Sequence, residues 1–304
     1  MRARTPLLSV GLPVYNGLPY LEETLRSIRE STFEDYELIV CDNASTDATG
    51  DLLRSFAAED DRIRYVRNER NIGAARNYNK CLELARGKYF RWVASDDVHS
   101  PGAVASCIEA LEAEPSIVLA FPETRLIDAQ GTLLQDYDDG DGWSAASSAD
   151  RFWNSITRMG LSNAMFGVIR TDVLRGSTLQ GDYPSSDLVM QTDLAIRGSF
   201  MRVRGEYYYR RMHDGCTDSL DPLALAQFYN PDSSAVFEAR MLRLFRELAG
   251  VVWRAPVSTG ERSRMWYSLA RRANWELPTL GREVGTLIRH AFRHDQRGLA
   301  MKHA

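Results

Sequence analysis

Asp96 and Asp97 are adjacent carboxylates that directly follow the segment Trp92-Val93-Ala94-Ser95. The apolar residues there predict the end of a buried strand, and two carboxylates at such an end repel unless a cation neutralises them. A divalent ion carrying diphosphate oxygens is a natural partner. By itself an Asp-Asp pair reads as a helix cap or an exposed turn. Here Pro101 follows where the first turn of a helix would begin, so the pair falls on a strand-to-helix crossing. Asp42 holds the same kind of position after the apolar run 36–41. A carboxylate there can accept the imide N–H of uracil or a related base. Ser45, Thr46 and Asp47 follow as caps for the next helix, with Ser45 as its N-cap.

The elements that must position these residues are legible from hydrophobic spacing. Strand-like runs at 7–14, 36–41, 63–66, 88–94 and 117–121 alternate with helical spacing at 18–30, 46–58, 72–86 and 101–114. Leu21, Leu25 and Ile28 share one helix face, and Gly87 stops the third helix. Such a rhythm implies right-handed crossovers and a mainly parallel sheet, flanked by helices. Ligands of such sheets bind outside the carboxyl ends of the strands. Asn16, Asp42, Asn43, Asp96 and Asp97 all fall at those ends, so the pattern gathers them along one edge. Further on, the acidic, glycine-containing stretch 136–142 reads as a solvated turn. It lacks the spacing and terminal Glu of a calcium loop. A strand at 164–170, a helix at 187–197 and a strand at 200–209 follow. After residue 221 the pattern is helical, at 235–249, 262–275 and 281–297. The expected organisation is a catalytic α/β unit over 1–220, with halves at about 1–125 and 126–220, and a helical extension over 221–304.

Four ordered segments carry a resemblance. They are Val10-Gly11-Leu12-Pro13-Val14-Tyr15-Asn16, Asp42-Asn43-Ala44-Ser45-Thr46-Asp47, Asn68-Glu69-Arg70-Asn71-Ile72-Gly73 with Arg76, and Ala94-Ser95-Asp96-Asp97 followed by Pro101. In these the chain resembles family 2 glycosyltransferases, which are inverting enzymes of the GT-A fold, a Rossmann-like arrangement. A looser match runs from Asp187 to His213, and the last eighty or so residues lie outside it. The resemblance implies a nucleoside-diphosphate-sugar donor, UDP favoured, and a hydroxyl acceptor in polysaccharide, glycolipid or glycoconjugate synthesis. Pro13, Val14, Tyr15 and Asn16 would line the nucleotide, Asp42 would bond the base, and Asn43, Asn71, Arg76 and Ser95 would lie near it. Asp96 would contact ribose or metal. Asp97 would be the main ligand of Mn²⁺ or Mg²⁺, and His213 in Arg210-Arg211-Met212-His213 would join it, imidazole being a good Mn²⁺ ligand. Arg210 or Arg211 would neutralise the leaving diphosphate. Asp187 would be the base that takes the acceptor proton, although its place at a helix start also suits an N-cap. The family often has Asp where this chain has Ala94, which implies modest metal affinity.

Composition excludes other classes. A net charge of −4 over 304 residues argues against a nucleic-acid binder. The four cysteines form no C-x-x-C pair and read as buried, reduced thiols. There is no apolar leader-like segment at the start and no run long enough to span a bilayer, so a cytoplasmic protein is expected. The extension, basic near its end through Arg282, Arg289, Arg293, Arg297 and Lys302, either packs on its own domain or on a second subunit, or rests on an anionic membrane at its inner face. Gly11-Leu12-Pro13-Val14-Tyr15-Asn16 lacks the G-x-G-x-x-G spacing of a dinucleotide-dependent oxidoreductase, no glycine-rich loop of a nucleotidylyltransferase is present, and no G-x-S-x-G occurs. The remaining alternative is a catalytically silent nucleotide-sugar-binding scaffold.

Overall fold

The computed structural model describes residues 5–140, 142–158, 160–233 and 239–300, the last eleven by backbone alone. Its first half follows the expected rhythm: β1 (Leu8–Val14), α1 (Leu21–Arg29), β2 (Tyr36–Asp42), α2 (Thr49–Glu59), β3 (Ile63–Arg67), α3 (Ala74–Leu84), β4 (Tyr89–Trp92). β1 pairs in parallel with β2 and β4, and β2 with β3. β1 and β2 are buried along their whole length, as strands covered on both faces by helices must be. Gly11 lets α3 close onto β1: a Cβ there would stand 2.7 Å from that of Cys81 and 2.8 Å from the Phe90 ring.

The second half departs from a simple parallel sheet. β5 (Val98–His99), α4 (Ala103–Ala113), β6 (Ile117–Ile127), β7 (Leu133–Tyr137), α5 (Ser148–Arg158), β8 (Val168–Arg170), α6 (Thr171–Arg175), α7 (Ser186–Arg197) and β9 (Ser199–Arg211) follow in order. Among the described residues the sheet runs β3-β2-β1-β4-β8-β6-β9-β5, with β7 beside β6. β8 is antiparallel to both β4 and β6, while β6 and β9 are parallel. The sheet is therefore mixed, which corrects the mainly parallel expectation. Hydrophobic runs give a strand's existence but not its neighbour, and no crossover helix fixes the direction of three-residue β8. Two reversals through β8 leave β6 and β9 running the same way as β4. The C-terminal end of β9 therefore emerges on the same edge as Asp42 and Asp96.

β4 and β5 are five residues apart in sequence, yet three strands separate them in the sheet. The sheet curls so that β5 returns to the link after β4, and Asp96-Asp97 lie in that link. α1 fastens it, since Thr24 Oγ1 donates to the Asp97 carbonyl at 2.9 Å.

The extension comprises α8 (Pro222–Tyr229), α9 (Arg240–Arg254), α10 (Thr259–Trp275) and α11 (Leu277–Ala300). Leu248, Val251 and Val252 of α9 and Met265 and Leu269 of α10 share a core with Phe152 and Ile156 of α5 and Val189 of α7. Two extension helices are thus packed against the second half of the sheet domain. Trp253 on α9 is 73% exposed. Among the described residues no helix is long and apolar enough to cross a membrane. The side chains of Arg293 and Arg297 and the position of Lys302 lie outside the described ones.

Three local readings are corrected. Ser45 does not cap α2, which begins at Thr49 after Ala48; its hydroxyl accepts from the Asn16 N–H at 2.9 Å instead. Asp187 is not an N-cap, because Ser185 precedes the helix in a left-handed conformation and Asp187 falls in the first turn. The stretch 136–142 is not wholly a solvated turn: Asp139 is buried, for reasons given below. The four cysteines are buried and unpaired.

Candidate active site

The first half of the candidate site is built on the ends of β1, β2 and β3. Asp42 is completely buried. Its Oδ1 accepts the Ser45 N–H at 2.8 Å, and its Oδ2 accepts Tyr65 Oη at 2.8 Å and Arg67 Nη1 at 2.5 Å. Burial alone would push this carboxyl up, but the Ser45 and Tyr65 bonds and the Arg67 charge bring it below its ordinary value. Arg67 stays 43% exposed on the rim. Neither Tyr65 nor Arg67 figured among the sequence candidates. Their signal was the two-residue spacing in β3, which puts both on the face of the sheet that carries Asp42.

Asn43 begins an amide network. Its Oδ1 accepts Asn68 Nδ2 and the Ile72 N–H, each at 2.9 Å, and its Nδ2 donates to Asn71 Oδ1 at 2.7 Å. Asn68 continues to Asn77 at 2.9 Å and to Lys80 at 2.5 Å, and Asn77 donates to the Cys41 carbonyl at 2.7 Å. Asn71 thereby receives a fixed orientation, and Arg76 stands exposed one turn into α3. Asn77, missed from sequence, is a polar residue one turn before Cys81 on the buried face of α3. Asn16 adopts φ 51° and its Oδ1 accepts the Thr46 N–H at 2.8 Å. Pro13 and Val14 are buried, Ser95 is half-buried, and Tyr15 projects with 47% exposure.

The two adjacent aspartates have different surroundings. Asp97 is buried; its Oδ1 accepts the Arg211 N–H at 2.7 Å and its Oδ2 accepts from Tyr208. Burial and the neighbouring Asp96 raise it to about 7. Asp96 is half-buried, and its Oδ2 lies 3.0 Å from His213 Nε2. Asp96, His213 and Cys216 are the group of donors that converges here, their ligand atoms within 4.8 Å of one another. The structure therefore brings Asp96, rather than Asp97, to His213.

Arg211 differs from its nucleotide-binding expectation. It is 2% exposed, with Nη2 on Glu23 at 2.6 Å and Nε on the Asp96 carbonyl at 2.9 Å. Its guanidinium braces the loop that carries Asp96 from behind. Residues alternate faces along β9, so Arg210 points the other way, and its charge acts on both Asp97 and Asp187. His99 is a buried member of the sheet. It stacks on Tyr208 at 5.3 Å and lies 2.9 Å from Arg91 Nη2. Burial and the Arg91 charge hold it neutral.

Asp187 completes the edge from the other half. Burial raises its carboxyl above the ordinary value, against a Ser162 hydrogen bond and the Arg210 charge. A carboxylate in this state is a stronger base than one in water, which suits proton abstraction.

Comparisons with known proteins match this chain by family and by fold. A family model described as glycosyl transferase family 2 matches residues 9–163, just over half of the chain, and the protein belongs to that family. It is 36% identical over 132 residues to the putative teichuronic acid biosynthesis glycosyltransferase TuaG of Bacillus subtilis, covering 43% of this chain and 52% of that one. The chain spans about half or less of the length of the first curated relatives it matches. Its fold is similar to that of S. aureus TarS 1-349 in complex with UDP-GlcNAc, with a TM-score of 0.65 at 16% identity, over 93% of this chain and 80% of that one. It is also similar to the mannosyltransferase PcManGT from Pyrobaculum calidifontis in complex with GDP-Man and Mn²⁺, with a TM-score of 0.57 at 18% identity, over 98% and 81%. These likenesses define an α/β, broadly GT-A-like fold.

Proposed function

We propose that the chain is a metal-dependent, inverting glycosyltransferase. It moves a sugar from a nucleoside-diphosphate donor, UDP favoured, to a hydroxyl acceptor in polysaccharide, glycolipid or glycoconjugate synthesis. One observation carries the reading. A metal-competent carboxylate–imidazole pair, a guanidinium and a half-buried carboxylate of raised basicity emerge on the same sheet edge, from the ends of β4 and β9 and the start of α7. The relatives add weight: TuaG is named for teichuronic acid synthesis, and the two solved structures hold UDP-GlcNAc and GDP-Man.

The donor set fits a hard divalent ion. Cys216 donates its thiol to the Arg211 carbonyl at 3.3 Å, and burial pushes its ionisation up, so it remains a neutral neighbour. That leaves an oxygen from Asp96 and a nitrogen from His213, a set suited to Mn²⁺ or Mg²⁺ more than to a thiophilic ion. An ion held there would supply positive charge to the diphosphate as it leaves.

The rest of the chemistry belongs to the chain. Asp187 takes the proton of the acceptor hydroxyl as that oxygen bonds to the anomeric carbon. The carbon's bond to the diphosphate oxygen breaks on the opposite face, and Arg210 faces the charge that develops there. The configuration inverts because one displacement occurs, with no covalent enzyme intermediate. Asp97, enclosed by Tyr208 and the Arg211 N–H, positions Asp96 and the start of β5. On the base side, a nucleobase imide competes with Arg67 for Asp42. We also take 1–220 as the catalytic unit and 221–304 as its helical buttress.

Thermal unfolding with UDP, GDP, dTDP, CDP or NAD, each with and without Mn²⁺, tests the reading. A ligand at a hundredfold excess over its Kd stabilises the folded state by about 2.7 kcal/mol. One nucleoside diphosphate should raise the melting temperature only with metal, and Asp96→Asn should abolish the rise. No rise with any diphosphate in the folded protein would overturn the donor-binding reading, and a metal-dependent rise without measurable transfer would favour the silent-scaffold alternative.

A further inference from the structure

The buried carboxylate of Asp139 is not used in the chemistry above. Only 4% exposed, it has no exposed-turn role, and burial raises its ionisation above the ordinary carboxylate value. Its Oδ2 accepts Thr124 Oγ1 at 2.5 Å and its Oδ1 accepts Asn163 Nδ2 at 2.9 Å. The other end of that amide, Asn163 Oδ1, accepts Arg210 Nη1 at 3.0 Å, and the same Nη1 reaches the Leu161 carbonyl at 2.8 Å. A line of hydrogen bonds thus runs from β6 through the 138–140 turn to the guanidinium that faces Asp97 and Asp187.

We propose that Asp139 is a positioning residue for glycosyl transfer, which aims Arg210 by fixing the orientation of the Asn163 amide. An asparagine amide can present either its oxygen or its NH₂ group in a given direction. Arg210 has only donors to offer, so it needs the oxygen. Asp139, when ionised, has only acceptors, so it needs the NH₂. A flipped amide would set donor against donor at Arg210 and acceptor against acceptor at Asp139. Thr124 occupies the second carboxylate oxygen and holds the group in place. An apolar residue at 139 would bury equally well but would leave the amide free to turn, and Arg210 with it. The inference rests on the proposed transferase reading, in which Arg210 faces the leaving diphosphate.

The test is a set of steady-state measurements on the full chain with its donor, Mn²⁺ and acceptor. Asp139→Leu should lower kcat by about 10- to 100-fold, as small misplacements of reacting groups do, with acceptor KM changed little. Asp139→Asn, which can still accept from Asn163 and donate to Thr124, should restore kcat to within about threefold of the wild type, by the same hydrogen-bond logic. In an Arg210→Ala background Asp139→Leu should have almost no further effect, since its influence passes through Arg210. Wild-type kcat in folded Asp139→Leu, failure of Asp139→Asn to rescue, or losses that multiply in the double variant would each overturn the proposal. A crystal structure of Asp139→Leu decides independently of activity. Arg210 should leave the Leu161 carbonyl, and an unmoved Arg210 would refute the role. A wild-type chain that transfers no sugar would sink the proposed function, while this structural comparison would still decide the positioning role.

Discussion

Asp42→Asn isolates the best-defined carboxylate of the proposed nucleotide half. The wild-type group is fully buried and accepts hydrogen bonds from Ser45, Tyr65 and Arg67. The variant amide oxygen can keep the Ser45 N–H. Its NH₂ then faces two groups that had been donors. The Tyr65 hydroxyl can turn to accept, but Arg67 cannot, and it swings into the solvent it already faces. A hydrogen bond to a charged group contributes about 1.5–3 kcal/mol, and water around Arg67 places the loss in the lower part of that range, near 2 kcal/mol (about 3 °C in melting temperature for a chain of this length). The pH dependence is the sharper test. The folded-state carboxyl lies below its ordinary value. Its stabilisation is fully present above the unfolded-state pKa of about 3.9 and is lost as pH falls through the folded-state value. Urea unfolding at pH 7 and at stepwise lower pH should show a gap between wild type and variant that is constant down to about pH 4 and closes below it. A gap unchanged down to pH 2.5 would mean that packing, not the charge, holds Asp42, and the reasoning would fail. The variant should also lose most nucleotide affinity at pH 7, since the carboxylate is the proposed base acceptor.

Asp187→Asn should keep metal-dependent donor binding and lose transfer by about 10²–10⁴; a normally active variant would place the base elsewhere. In the wild type, kcat should fall on the acid side at a higher pH than an ordinary aspartate would give, because Asp187 is raised and acts only when deprotonated; an acid limb at or below the ordinary aspartate value of about 3.9 would contradict this. His213→Ala should weaken Mn²⁺-dependent stabilisation by UDP while leaving the metal-free melting temperature nearly unchanged, as titration by melting would show. Gly73→Ala should destabilise by about 1–3 kcal/mol from backbone strain alone, because Gly73 has φ 84° and a Cβ would stand 2.1 Å from the Tyr229 carbonyl oxygen. Limited proteolysis should find α8 opened in that variant, and an unchanged digest would mean that α8 does not rest on this turn.

Local patterns were sufficient to place the first half of the site. The alternation of β1 to β4 with α1 to α3 fixes which strand ends carry Asn16, Asp42 and Asp96, because parallel crossovers leave all carboxyl ends on one edge. They could not show that Asp42 would be enclosed by Tyr65 and Arg67, since that depends on the β2–β3 register. Nor could they separate the two aspartates. The β5–β9 pairing ties Asp97 to the Arg211 N–H and leaves Asp96 for His213, and that pairing joins residues more than a hundred positions apart. The same register turns Arg211 inward to Glu23 and leaves Arg210 on the other face, against Asn163 and the Leu161 carbonyl. Asp139 looked solvated because its neighbours are charged, and only the fold buries it beneath Asn163. Residue type and spacing determined what chemistry the edge can do, through the short-range rules of strands, helices and turns. The tertiary structure decided which of two adjacent carboxylates meets His213, and which of two adjacent arginines turns inward, because strand register and sheet curl are set by contacts distant in sequence.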